Sequence, residues 1–321
     1  MNRRRITFAV VFVVLAVIPF FLNAYWVDVL NSVGLYAILG LSLNLIVGHA
    51  GLFNLGHAAF FAVGAYTAAI LNTSFGIPIL WLLPLSGLAA GLFAVLIARP
   101  VIHLRGDYLC IVTIGLGEIV RIALINDVFG ITGGANGIFG IARPVLFGFT
   151  IRSPQAFYYL IWSFAALTVF LFHRLEHSRF GRALNYLRED ETAAEGSGID
   201  TGSYKLVIFG IGAFWAGMAG DIYAAKMTII APESFSFWES VLIFTLVILG
   251  GAGSIPGVIL GAFLIVGLPE IFRDFANARM LVFGAAMMAM MIFRPEGILP
   301  AKPRAYRLAD VRNLVAKEGT K

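Results

Sequence analysis

VLNSVGLYAILGLSLNLIV, residues 29–47, runs for nineteen residues without a charge. As a helix rising 1.5 Å per residue it would measure about 28 Å, close to the ~30 Å hydrocarbon core of a bilayer. The same kind of segment recurs on both sides of it. Long runs occupy residues 6–24, 53–71, 77–98, 109–125, 157–172 and 204–224. Three shorter runs, 240–249, 257–268 and 280–293, are interrupted by Gly and Pro. The expected fold is therefore all-α, a polytopic transmembrane helical bundle of about ten spans, some of them short or broken. Lipid cannot satisfy bare backbone, so each break must face protein or a water-filled path.

Composition agrees with a bilayer as the solvent. The 321 residues are 60% hydrophobic and 13% charged, with a mean hydropathy of +0.89. Soluble domains carry about 25% charged residues, and a globule in water could not cover this much apolar surface. Cys110, the one cysteine, lies inside an apolar run; an internal disulfide is excluded and the thiol reads as a small buried hydrophobe. Arg3 to Arg5 ahead of the first run also fit a signal peptide, but Leu22-Asn23-Ala24 is a poor cleavage site and the segment is expected to be retained.

Lys and Arg set the orientation. With ten crossings and the N-terminus inside, the inner segments hold all of the 23 Lys and Arg except Arg121, Arg143, Arg152, Lys226, Arg273 and Arg279. Odd span counts place the basic C-terminus on the wrong side. The expected organisation is a transmembrane domain over 1–294, with one long cytoplasmic loop at 173–205, then a basic cytoplasmic tail over 295–321.

A parallel internal repeat is also expected. IVGHAG at 46–51 matches ILGGAG at 248–253, and IARP at 97–100 matches IFRP at 292–295, each pair on the same membrane side. Chance recurrence of Gly, Ala and Arg-Pro in apolar sequence is the competing explanation. Paired glycine breaks in a repeat point to a substrate path. Asn44, Asn54 and His57 near the first break and Ser254 near the second are the candidate path residues, although such groups more often serve hydrogen-bonded helix packing. GLAAG at 87–91 and GVILG at 257–261 are GxxxG patterns suited to close helix approach. Glu118 and Arg121, three residues apart, share a helix face and form an expected intramembrane ion pair, orienting their helix or taking part in gating.

No nucleotide-binding, H-E-x-x-H or paired-cysteine metal motif occurs. The chain is read as no enzyme and as binding neither metal nor cofactor nor nucleic acid; any ATP hydrolysis falls to other polypeptides. Loop 173–205 holds five basic and six acidic residues. Within it Leu184, Leu187 and residues 192–194 recur at helical spacing, and Gly196 and Gly198 provide a stop, so a short amphipathic helix is expected. Mixed charge suits a protein partner better than a lipid surface.

ETAAEGSGI at 191–199 resembles the cytoplasmic coupling motif of ABC-importer permeases. Further blocks extend the likeness over nearly the whole chain: GHAGLFNLGHAAFF at 48–61, LRGD at 104–107 with TIGLGEIVR at 113–121, TGGANG at 132–137, GRAL at 181–184 and GGAGSIPG at 250–257. Together they resemble the branched-chain amino-acid permease family, in particular its LivM-like members. Two departures stand out: Thr192 separates Glu191 from Ala193, and Asn54 occupies a position where Ser is usual.

The resemblance implies an inner-membrane permease translocating Leu, Ile or Val. Its partners would be a sister permease, two ABC ATPase subunits that use ATP, and a periplasmic binding protein. It assigns ATPase coupling to Leu184, Leu187, Arg188, Glu191, Ala193, Ala194, Glu195 and Gly198. Urea or short amides are alternative substrates for the same machine. Beside it stand a transporter or channel working alone, and a membrane-embedded enzyme, for which no convergent polar set is found.

Overall fold

The computed structural model describes residues 17–271 apart from 105, 129 and 147, together with 284, 288, 292–294 and 296–300. The expected spans at 6–24 and 280–293 and the tail beyond 300 lie largely or wholly outside the described residues.

Among the described residues seven helical stretches are long and apolar enough to cross a membrane. They are α1 (Ala24–Asn44, continued by a π turn, Leu45–His49), α2 (His57–Phe75), α3 (Ile79–Val101), α4 (Asp107–Ile125), α5 (Pro154–Glu176), α8 (Thr201–Met227) and α9 (Phe237–Gly250), which a 3-10 turn at Pro232–Phe235 precedes. Two short helices, α6 (Arg179–Glu189) and α7 (Glu191–Gly196), join α5 to α8. The last described helix, α10 (Ile255–Ala262), continues through a π turn at Phe263–Gly267 to Ile271 and is shorter than the others. Two small antiparallel pairs lie outside these helices: β1 (Ile138–Phe139) with β4 (Ile229–Ile230), and β2 (Val145–Leu146) with β3 (Phe149–Thr150).

Each long run in the sequence that falls on described residues is a helix, with ends displaced by a few residues. The run at 240–249 is part of a longer helical stretch than expected. Glu239, Ser240 and Ser236 make its start look polar, yet Glu239 accepts a hydrogen bond from the Tyr36 hydroxyl and Ser240 is buried, so the helix extends into protein.

Burial orders the bundle. α1 and α8 are buried over most of their length, α2 nearly so, while α4 and α5 present apolar side chains such as Ile111, Ile119 and Phe170 outward. With lipid as apolar as leucine, packing between such helices depends on close van der Waals fit rather than on escape from water. α2, α3 and α8 achieve this through small residues. A Cβ placed on Gly64 would lie 2.2 Å from the Gly217 carbonyl, and one on Gly217 2.6 Å from the Ser86 carbonyl and the Ala90 side chain. Backbones thus meet where any side chain would separate them.

Gly217→Val should accordingly force α8 off α2 and α3, lowering the thermal unfolding midpoint of the purified protein by an amount matching about 2 kcal/mol or more. Gly115→Ala, on α4 with open space around its Cα, should leave the midpoint within a degree or two.

Candidate functional site

The two glycine breaks meet. Gly48, in the π turn that ends α1, approaches so closely that a Cβ there would lie 2.3 Å from the amide nitrogen of Gly253. That amide donates to Asn44 Oδ1 at 2.7 Å. Gly251 and Gly253 have φ of +116° and +85°, conformations that glycine adopts at little cost. They turn the chain from α9 into α10, and Ser254 then caps α10 by accepting from the Gly257 amide at 3.2 Å. Residues 297–300 complete the joint: the amides of Ile298 and Leu299 donate to the carbonyls of Leu249 and Gly250, both at 3.0 Å, which satisfies the C-terminal end of α9.

On the other side of the first break, Asn54 lies in the segment leading into α2 and His57 is the first residue of α2. Both are fully buried. Asn54 Oδ1 accepts from the Gly56 amide at 2.9 Å, which fixes the amide orientation, and Thr113 on α4 braces the same segment by accepting from the Leu55 amide. Ser42 donates its single hydroxyl proton to the Leu39 carbonyl, so it accepts from His57 Nε2, 2.7 Å away. Among the described residues, the Nδ2 of Asn54 and the Nδ1 of His57 have no hydrogen-bond partner. Of the four candidate path residues, Asn44 and Ser254 therefore spend their oxygens on backbone, while Asn54 and His57 each retain an unspent polar atom.

The loop that joins α5 to α8 is two helices, not the single helix expected over 184–198. The chain breaks at Asp190 (φ −155°, ψ 107°), whose carboxylate caps α7 by accepting from the Ala193 amide at 3.0 Å. An aspartate in this setting competes for the backbone of a helix interior and wins as a cap. Leu184, Leu187 and Ala194 are buried and anchor the pair against the membrane domain. Ala193, Glu195 and Gly198 are exposed, Gly198 with φ +83° closing α7. Tyr186, on α6, is 56% exposed.

Polar contacts hold this loop against the first break. Arg188 donates through Nη1 to the Gly48 carbonyl. Glu191 pairs with Lys205 at the start of α8, whose side chain is only 4% exposed. Glu195 accepts from the Thr201 hydroxyl at 2.7 Å. Asp200, the cap of α8, accepts from the Ser203 side chain and amide, which hold its carboxyl below the usual carboxylate range. A cleft of about 280 Å³ opens between these helices, Gly51 to Phe53 and the start of α4.

Glu118 and Arg121 are paired as expected, Arg121 Nε and Nη2 each 2.9 Å from Glu118 Oε2. Arg121 Nη1 also reaches Glu233 at 3.5 Å, in the 3-10 turn before α9. Other ionisable groups escaped the sequence reading. Asp221, on α8, is 1% exposed and accepts from the Ser86 hydroxyl at 3.3 Å; Lys226 pairs with Asp28 at 2.9 Å. Their signal was available, since a charge within or beside an apolar span is costly enough to require a partner.

Four substitutions separate these contacts. Glu191→Gln leaves the Lys205 ammonium buried without its counter-charge and should cost about 2–3 kcal/mol, whereas Lys205→Met leaves a part-exposed carboxylate and should cost less; unfolding in denaturant ranks them. Arg121→Ala removes the counter-charge shared by Glu118 and Glu233 and should lower the yield of folded protein in membranes, read by fluorescence-detected size exclusion, with Arg121→Lys restoring part of it.

Residues 25–293 match the family described as branched-chain amino acid transport system / permease component. The permease protein LivM of a high-affinity branched-chain amino acid transport system in Escherichia coli is 43% identical, over 91% of this chain and 74% of that one. A probable LivM of Methanocaldococcus jannaschii is 26% identical over 84% of this chain and 92% of its own. LivH of Escherichia coli is 26% identical over 82% and 91%. No solved structure matches the chain. The chain, a multi-pass membrane protein, belongs to the branched-chain amino-acid transport permease family.

Proposed function

We propose that this chain is the membrane-spanning subunit of an ABC importer for branched-chain amino acids, driven by separate ATPase subunits that dock on α6 and α7. The observation that carries the proposal is the construction of that loop: buried Leu184, Leu187 and Ala194 fix it to the membrane domain, while Arg188 ties it to the break that ends α1. Force applied to its exposed edge at Tyr186, Ala193 and Glu195 is delivered to the glycine joint. Both LivM and LivH among the relatives support a sister permease completing the pathway. The working complex then contains two permeases, two ATPases that consume ATP, and a periplasmic binding protein that delivers Leu, Ile or Val.

In this reading the chain lies in the inner membrane with about ten spans and both termini cytoplasmic, as a domain over 1–294 and a basic tail over 295–321. Spans 1–4 and 7–10 form a parallel repeat whose two glycine breaks close on each other through Asn44 and Gly253. A zwitterionic amino acid brings one cationic donor group and one anionic acceptor group. His57 Nδ1, a lone-pair acceptor, and Asn54 Nδ2, a donor, are unspent groups of matching kind. They support a path with few and weak polar contacts, leaving selectivity mostly to the soluble receptor.

Glu195→Lys reverses a charge on the exposed edge of α7, and Ala193→Arg adds bulk there without touching the buried anchors. Each should abolish capture of the ATPase subunits in a pull-down and reduce leucine uptake at least tenfold, while the protein still elutes as a single species from detergent. Retained ATPase capture by both variants would sink the docking assignment.

A further inference from the structure

At the end of α5 that carries the coupling loop, HRLEH at 173–177 places His173, Glu176 and His177 at i, i+3 and i+4, one face of the last helical turn. The imidazole rings are 4.2 Å apart between centroids. One ligand atom from each of the three residues lies within 4.8 Å of the others. Ligands about 2.1 Å from a tetrahedral zinc ion stand roughly 3.4 Å apart. The histidines are exposed and Glu176 is half-buried, so modest side-chain rotation closes the difference.

The hydrogen bond at His177 is the second observation. Nδ1 lies 2.8 Å from the carbonyl oxygen of His173. A carbonyl only accepts, so Nδ1 carries the proton and the Nε2 lone pair of the neutral ring is left available. Metal-ligating histidines are commonly oriented this way, one ring nitrogen donating to a backbone carbonyl while the other binds the ion. The two imidazoles with one carboxylate suit a late divalent transition metal better than Mg²⁺ or Ca²⁺, which prefer all-oxygen shells. A scan for paired cysteines or H-E-x-x-H passes over this spacing.

We propose that His173, Glu176 and His177 form a binding site for one divalent transition-metal ion, of the Zn²⁺ or Ni²⁺ class, at the junction of α5 and α6. His177 immediately precedes Ser178, which caps α6 by accepting from the Gly181 amide, so a bound ion stiffens the joint from which the coupling loop departs. Three protein ligands leave at least one position for water or for a group from a docked partner. The remaining histidines, His49, His57 and His103, sit elsewhere in the chain, the first two buried.

The test uses the full-length protein purified in detergent through a tag without histidine, equilibrated with Zn²⁺ and analysed for bound metal and by competition with a zinc indicator dye. One equivalent should bind, and its affinity should fall at least tenfold in His173→Gln/His177→Gln and measurably in Glu176→Gln, with Glu189→Gln unchanged. Size exclusion establishes that each variant is folded. Stoichiometric binding that survives the double substitution, or no binding above its background, overturns the assignment.

Discussion

A helix that ends inside a membrane protein leaves backbone groups without partners, and water is not at hand to supply them. α9 and α10 meet at such a place, and the amide of Gly253 is given its partner by Asn44, on a helix 209 residues away in sequence. Leaving a buried amide unsatisfied costs about 1–3 kcal/mol, so this bond fixes how α1 and the α9–α10 corner sit together. It requires that no side chain intervene, which is why Gly48 and Gly253 face each other. The small-residue packing of α2 and α3 on α8 then builds outward from a centre whose geometry is already set.

The same turn of α1 receives the loop formed by α6 and α7. Gly48 shows its Cα to Gly253 and its carbonyl to Arg188, so one residue touches both the glycine joint and the α6–α7 loop. Division of the loop into two helices at Asp190 suits this arrangement. A continuous helix would carry Arg188 and Glu195 on one rigid axis. With the bend, α6 turns its buried leucines and Arg188 to the membrane domain, while α7 is secured separately through Glu191 to Lys205 and Glu195 to Thr201. The π turn that closes α1 widens the helix where these two contacts meet, a local feature often found at functional positions.

The spans were legible in the sequence because crossing a bilayer imposes a length and an apolarity that few other structures need. Residues 29–47 and 204–224 announce helices on those grounds alone. The ion pair of Glu118 and Arg121 was legible for a similar reason, its spacing being a property of the helix itself. Asp190 was not, since cap and interior differ only by backbone angles that a mixed run of charges does not reveal. Lys205 read as the edge of a loop; only folding brings it under α7 and buries it. Glu233 and Asp221 likewise acquire their partners from other helices, through contacts with no trace in local periodicity.

The candidate path residues separate on a distinction that composition cannot express. Asn44, Asn54, His57 and Ser254 are all polar, buried and adjacent to glycine breaks, and each would be written the same way from sequence. The amide oxygen of Asn44 and the hydroxyl oxygen of Ser254 close backbone gaps, so their work is finished once the helices are assembled. Asn54 and His57 use one polar atom to hold the segment ahead of α2 and keep another unspent. A fully satisfied network rigidifies a protein, whereas a buried polar atom without a partner carries a desolvation cost that some other group must repay. In the transport function proposed above, a passing polar solute is the group that repays it at these two atoms.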